Sequence, residues 1–121
     1  YAGVALDILE AVNSTTTKRI VVSMSNNGTL DFLRPDDVIE ISCDLSKDGL
    51  KPVTPKHVPT AQKNMIASVK EYERLAVAAI LQRDKSLAIR ALMAHPLVGS
   101  YSLAKTLVEA YLDDKQFADW R

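Results

Sequence analysis

The chain has 121 residues, of which 47% are hydrophobic and 25% charged, a composition that indicates one folded globular domain and excludes disorder over most of the length. Lysine and arginine together number 15, as do aspartate and glutamate, and this zero net charge excludes the basic footprint of nucleic-acid or anionic-membrane binding. The single cysteine, Cys43, excludes an internal disulfide and a multi-cysteine zinc site and is typical of a reducing, cytoplasmic compartment. No apolar run approaches the roughly 20 residues that cross a bilayer.

The first half of the sequence predicts one helix followed by a small antiparallel sheet. Apolar residues recur at helical spacing across residues 2–12, on a face formed by Val4, Ala5, Ile8, Leu9 and Val12. Extended patterns at residues 20–22, 38–45 and 50–53 predict strands. Turn signals at Asn27-Gly28, at 34–37 and at 47–49 separate them, so we expect two to four antiparallel strands.

The second half predicts three helices after a proline-rich link. The prolines within residues 52–59 disfavour both a helix and a central strand, so we expect an extended connection there. Thr60 is the expected N-cap of a long helix over residues 61–83. Asp84 is the expected N-cap of the second helix, and Ser102 that of the third.

The order helix, strands, helices predicts an α+β fold in which a small antiparallel sheet packs against a helical layer. The second of the three later helices is expected to end at His95-Pro96, because proline disfavours helix at the residue before it. Phe117 and Trp120 provide apolar side chains for a docked tail.

Most chemistry-bearing residues have an ordinary structural interpretation. The G-x-G-x-x-G and G-x-x-x-x-G-K-S/T phosphate-binding patterns are absent from the sequence. His57 and His95 have no ligand partner three or four residues away, so we expect a loop residue and a helix-end residue rather than metal ligands. Cys43 is expected to be a small core residue. The carboxylate pairs at 36–37 and 113–114 are expected to be solvated side chains of turns or helix ends.

The segment at residues 24–28 is the one loop whose side chains are suited to recognising a ligand. Asn26 and Asn27 offer hydrogen-bond donors and acceptors within a small radius. Gly28 permits close approach by another backbone or a ligand. Asn26 and Asn27 are therefore the candidate substrate-binding residues, with a purely structural turn as the alternative. No residue is assigned as catalytic, cofactor-binding or metal-binding.

Four segments carry a resemblance to a known family. They are IVVSMSNNGTL at residues 20–30, DDVIEI at 36–41, VKEYERL at 69–75 and AIRALMAHPL at 88–97. In order and spacing, the chain resembles the C-terminal part of glycoside hydrolase family 4, the NAD- and metal-dependent glycosidases. Within that family it is most similar to the 6-phospho-beta-glucosidases.

The resemblance implies a cytoplasmic enzyme that acts on phosphorylated glucosides by redox-assisted elimination and addition. NAD transiently takes hydride from C3 of the sugar, and a divalent metal, usually manganese, polarises the C2 and C3 oxygens. The family places its NAD loop, its metal ligands and its base upstream of this region, and Cys43, His57 and His95 do not match those positions. The resemblance also implies a shape like the C-terminal half of lactate and malate dehydrogenases.

On this interpretation, residues 1–121 are a single C-terminal domain, for substrate binding and oligomerisation, of a longer enzyme whose NAD-binding domain is missing. The start at Tyr1 without a methionine, inside a predicted helix without a cap, also suggests a fragment. We expect the fragment to be inactive alone and to form a homo-oligomer through its first helix and its long helix. The alternative is a stand-alone α+β module for protein interaction or oligomerisation, without catalysis.

Overall fold

The structure is a computed structural model that describes residues 2–113 and 119–120. It forms two compact units, Tyr1–His57 and Val58–Arg121. In chain order the elements are α1 Ala2–Asn13, β1 Lys18–Ser25, β2 Val38–Ser46, β3 Gly49–Pro52, α2 Thr60–Gln82, α3 Lys85–Ala94 and α4 Tyr101–Leu112. The predicted α+β class is confirmed. The packing of sheet against helical layer and the likeness to dehydrogenases stay expectations.

The first unit is built on a three-stranded antiparallel sheet in the order β1-β2-β3. Burial alternates along β1 and β2, as the two-residue period of a strand requires. Cross-strand pairs place Ile20 opposite Cys43 and Met24 opposite Ile39, so one face of the sheet carries the apolar side chains. Ile39, Cys43 and Leu45 are buried there.

Helix α1 contacts β1 and β2. Its larger apolar side chains are exposed, and Ala11 is the only buried residue of α1. The Lys18 ammonium pairs with Asp7 at 3.3 Å and with Glu10 at 3.0 Å. Since residues 7, 10 and 11 share one helical face, the acidic side of the helix lies toward β1.

The second unit is helical, with α2 contacting α3 and α3 contacting α4. Its buried cluster consists of Ile89, Ala104 and Val108. Arg83 ends α2 in the left-handed conformation, with φ 52°, and its N–H reaches the carbonyls of the last turn. In the part of the chain that the structure describes, no helix combines the length and the apolar character needed to cross a membrane.

The helix caps confirm one prediction and correct two. The Asp84 carboxylate accepts a hydrogen bond from the Leu87 N–H at 2.9 Å, as an N-cap does. Thr60 is already inside α2, whose N-cap position is taken by Pro59 without a side-chain hydrogen bond. The N-cap of α4 is Ser100 rather than Ser102, because Ser100 has the extended backbone that lets its hydroxyl accept from Leu103 N–H.

An ion pair between neighbouring strands gives a pH-dependent prediction. Arg19 lies directly opposite Asp44 and donates to both carboxylate oxygens, at 2.8 and 3.0 Å. This hydrogen bonding, supported by charge attraction, holds the pKa of the Asp44 carboxyl below its usual range. The stabilisation is present above the unfolded-state pKa of Asp, about 4, and is lost as pH falls through the lowered folded-state value.

We expect Arg19→Met to return the Asp44 pKa toward its ordinary value, measured by NMR titration of the side-chain carboxyl carbon. Lys51→Met is the matched control, because Lys51 faces Asp44 from β3 but is not a cause of its pKa shift. An equal rise in both variants would contradict the prediction, since it would assign the effect to overall charge rather than to the hydrogen bonds.

Candidate functional site

The candidate site is the loop of residues 26–37 that connects β1 to β2. Its two ends meet, because the Asn26 N–H donates to the Asp37 carbonyl at 2.7 Å. This bond lies just beyond Ser25 and Val38, the last cross-strand pair of the two strands. The connection is therefore a closed loop of twelve residues, longer than the simple hairpin that Asn27-Gly28 alone would form.

The Asn26 side chain occupies the middle of this loop and has no exposed surface. Its Nδ2 donates to three backbone carbonyls, those of Leu30 at 2.9 Å, Leu33 at 3.2 Å and Arg34 at 3.1 Å. Its Oδ1 accepts from the Leu30 N–H at 2.7 Å. Both amide hydrogens are thus engaged by the loop itself. In this structure the Asn26 side chain fixes the neighbouring backbone of the loop.

Asp37 closes the other end of the loop, and here the sequence prediction of solvated carboxylates is wrong. Its side-chain Oδ2 accepts from the Arg34 N–H at 2.9 Å, and its own N–H donates to the Arg34 carbonyl at 3.2 Å. Asp37 is only 7% exposed because it packs beneath the turn that it stabilises. Asp36 is exposed, as predicted, and Asp114 lies outside the described residues.

The exposed residues of the loop are Asn27, Gly28, Asp31, Arg34, Pro35 and Asp36. Asn27 and Gly28 both have positive φ, 44° and 84°, as their residue types predict. The Asn27 N–H donates to the Pro35 carbonyl at 2.9 Å, so the backbone of this exposed residue is fixed. Arg34 adds a cation to this surface, and Asp31 and Asp36 add two carboxylates.

The remaining candidates have structural roles. Cys43 is buried, with its Sγ 3.6 Å from the Met24 sulfur, and is a core residue as predicted. His57 is exposed in the link before α2. His95 ends α3, where its Nδ1 accepts from the Leu97 N–H at 3.2 Å. The His95 ring also meets Tyr72 edge-on, with the ring centroids 4.7 Å apart.

A second concave feature lies within the helical unit. It is a groove of about 630 Å³. Its lining is Tyr72, Ala76, Ala79, Ile80, Ala88, Ala91, Leu92, Leu107, Val108, Tyr111, Leu112 and Trp120. A sugar phosphate requires cationic and hydrogen-bonding partners, which this lining scarcely provides. The groove is therefore suited to apolar contact rather than to a phosphorylated substrate. Trp120 reaches it as the predicted tail residue, whereas Phe117 lies outside the described residues.

The sequence did not predict that Asn26 and Asn27 differ in burial within this loop. Two adjacent asparagines give the same signal in the sequence, but burial separates Asn26 from Asn27. Asp37 was also missed as a buried acceptor. The signal available for it was its position three residues after Arg34 and directly before an apolar strand, where a turn carboxylate can accept from backbone N–H groups.

Comparison with known proteins identifies the relatives of the chain. Residues 1–98 match the model of the family 4 glycosyl hydrolase C-terminal domain. The 6-phospho-beta-glucosidase BglT of Thermotoga maritima is 32% identical over 113 residues, which are 93% of this chain and 27% of that protein. The phospho-alpha-glucosidase PagL of Clostridium acetobutylicum is 24% identical over 93% of this chain and 25% of its own length. The chain thus spans about a quarter of the curated relatives that it matches.

A solved structure shares the fold. The 6-phospho-beta glucosidase of Thermotoga maritima, in a form with manganese, NAD+ and glucose-6-phosphate, matches with a TM-score of 0.77 and 31% identity. The match covers 96% of this chain and 29% of that one. Its agreement in fold and in sequence extends over both compact units.

The positive φ of Gly28 gives a stability prediction. A Cβ there would meet no atom within 4 Å, but the backbone at φ +84° is strained for any L side chain. We expect Gly28→Ala to lower the free energy of unfolding by about 1 kcal/mol, measured by urea denaturation. Gly99→Ala is the matched control, because Gly99 also has open space but no positive φ. Equal losses in the two variants would contradict the assigned cause.

Proposed function

Because the chain belongs to the family 4 glycosyl hydrolases, as their C-terminal domain, we propose that its two units form one domain of a longer 6-phosphoglucosidase that uses NAD and a divalent metal. The observation that carries the proposal is the family match over residues 1–98. A relative also supports the proposal, since the structure of the Thermotoga maritima enzyme has been solved with manganese, NAD+ and glucose-6-phosphate. The reaction follows as hydrolysis of a 6-phosphoglucoside by redox-assisted elimination and addition.

We propose the beta anomer as the substrate and manganese as the metal. The beta-specific relative is 32% identical to this chain, compared with 24% for the alpha-specific one. Manganese is proposed because it is present in the solved structure of the Thermotoga maritima relative. We place the full-length enzyme in the cytoplasm, because its proposed substrates, the phosphorylated glucosides, are charged metabolites.

The described residues of this chain do not form a complete site for NAD or for the metal by themselves. Among residues 2–113 and 119–120, no group of three His, Cys, Asp or Glu side chains converges as metal ligands would. The sequence also has no glycine-rich phosphate loop. In this proposal both groups are held by the remainder of the enzyme, and no redox or metal-assisted step is assigned to this domain.

The contribution of this domain is substrate contact from the loop of residues 26–37. Asn27 is the proposed contact, because its exposed carboxamide offers both a donor and an acceptor to sugar hydroxyls. A neutral side chain is suited to hydroxyl groups, whereas the substrate phosphate requires a cation.

Activity assays separate this proposal from the stand-alone module. We expect the full-length enzyme to hydrolyse p-nitrophenyl 6-phospho-beta-glucoside in the presence of NAD, Mn²⁺ and reductant. Removal of NAD or chelation of the metal should abolish turnover, and the alpha anomer should be the poorer substrate. The isolated chain should have no activity under the same conditions, since the groups for the chemistry lie elsewhere. Turnover by the isolated chain, or none by the full-length enzyme with either anomer, would overturn the proposal.

The exposed apolar side chains predict self-association of the isolated chain. On α1, Leu6 is 66% exposed, and on α2, Leu81 is 79% exposed. Monomers rarely tolerate large contiguous apolar patches, so we expect a homo-oligomer, most simply a symmetric dimer. Light scattering over a concentration series measures it. Leu6→Glu and Leu81→Glu should each shift the chain toward monomer, whereas Val21→Glu, on the exposed face of β1, should not. A monomer at every concentration would contradict this prediction.

A further inference from the structure

We propose that Asn26 is a positioning residue, which sets the affinity for substrate through Asn27 without contacting the substrate. The inference rests on the proposed function, because it requires Asn27 to bind the sugar. It goes beyond that function by assigning the preceding, buried residue a measurable role in affinity. The two neighbours then have separate effects, one on the contact itself and one on the backbone that presents it.

The Asn26 carboxamide is fully engaged within the loop. It is buried and bonds three carbonyls and one N–H. Its replacement by alanine would remove the bonds to the Leu33 carbonyl and the Leu30 N–H, whereas the carbonyls of Leu30 and Arg34 would keep the N–H groups of Leu33 and Asp37. The groups that lose Asn26 would then turn toward water, and the loop would become less well ordered.

The backbone of Asn27 has a φ of 44°, in the left-handed region, which costs free energy for a side chain other than glycine. Backbone bonds hold it there: the Asn27 N–H donates to the Pro35 carbonyl, and the Thr29 N–H donates to the Asn26 carbonyl. The Asn26 side chain acts on the first of these bonds through Arg34, the neighbour of Pro35, whose carbonyl it holds. A fixed loop loses less conformational entropy when it binds a ligand, so loosening the loop weakens binding at Asn27.

The loop keeps a second support when the Asn26 side chain is removed. The Asp37 carboxylate accepts from the Arg34 N–H, and the Asp37 N–H donates to the Arg34 carbonyl, which Asn26 also bonds. The backbone bond from the Asn26 N–H to the Asp37 carbonyl does not require the Asn26 side chain. The sheet register continues through Ser25 opposite Val38. Removal of the Asn26 side chain therefore loosens the loop while β1 and β2 remain paired.

A double-mutant cycle in the full-length enzyme tests the inference. Asn26→Ala and Asn27→Ala should each raise KM for the 6-phosphoglucoside about 2- to 12-fold, the range for loss of one neutral hydrogen bond, with kcat within about twofold. If Asn26 acts through Asn27, Asn26→Ala should add no further rise in KM when Asn27 is already alanine. Glucose 6-phosphate as a competitive inhibitor should give the same pattern in its inhibition constant.

The controls separate positioning from instability. Asn64→Ala removes an exposed asparagine on α2 and should leave KM unchanged. Asn26→Asp keeps the acceptor for Leu30 but places oxygens toward three carbonyls, so it should raise KM at least as much as Asn26→Ala. If Asn26→Ala does not fold, Asn26→Ser, which keeps a short hydrogen-bonding side chain but cannot reach all of the same partners, replaces it in the cycle.

Three outcomes would overturn the inference. A multiplicative rise in KM in the double variant would show that Asn26 acts independently of Asn27. An unchanged KM in Asn27→Ala would remove the contact through which Asn26 is proposed to act. A lower melting temperature with unchanged KM in Asn26→Ala would leave it only a structural role. Failure of the proposed function itself would be seen separately, as absent turnover by the unmodified full-length enzyme.

Discussion

A buried carboxamide closes the connection between the first two strands, and the shape of the surrounding loop depends on it. The Asn26 Nδ2 donates hydrogen bonds to three backbone carbonyls, and its Oδ1 accepts one from a backbone N–H. Leaving such a buried group unpaired costs about 1–3 kcal/mol. Aspartate would supply the acceptor but no donor, and leucine would supply neither. The short asparagine amide supplies both the donor and the acceptor at the centre of this twelve-residue loop, and therefore matches the backbone groups around it.

The first helix is held to the sheet by few contacts. Surface ion pairs contribute little to stability, and those of Lys18 with Asp7 and Glu10 join the acidic side of α1 to β1. Ala11 is the only side chain that α1 buries, so little apolar area holds the helix in place. Leu6 and Leu9 are exposed, and an exposed apolar surface of this kind is typical of an interaction site.

Local patterns in the sequence predicted the elements well and the tertiary contacts less well. The strand alternation, the Asp84 cap and the positive φ at Asn27-Gly28 follow from neighbouring residues and the periods of regular structure. The burial of Asp37 depends on closure of the loop by the bond from the Asn26 N–H, eleven residues earlier, and the orientation of α1 depends on its contacts with a different element, the strand that contains Lys18. Asn26 and Asn27 could not be separated for the same reason, because only the folded loop decides which carboxamide turns inward.

This inward and outward division explains how a turn can be rigid and still present a hydrogen-bonding group. Asn26 faces the interior, and the next residue faces solvent with its backbone held at φ 44°. The cost of that conformation is offset by bonds that Asn26 and Pro35 provide to the backbone, rather than by contacts of the exposed side chain. Asn27 therefore remains exposed for the contact with a sugar hydroxyl that we propose. Gly28 also favours this arrangement, because its φ of 84° closes the turn without adding a side chain beside the proposed contact.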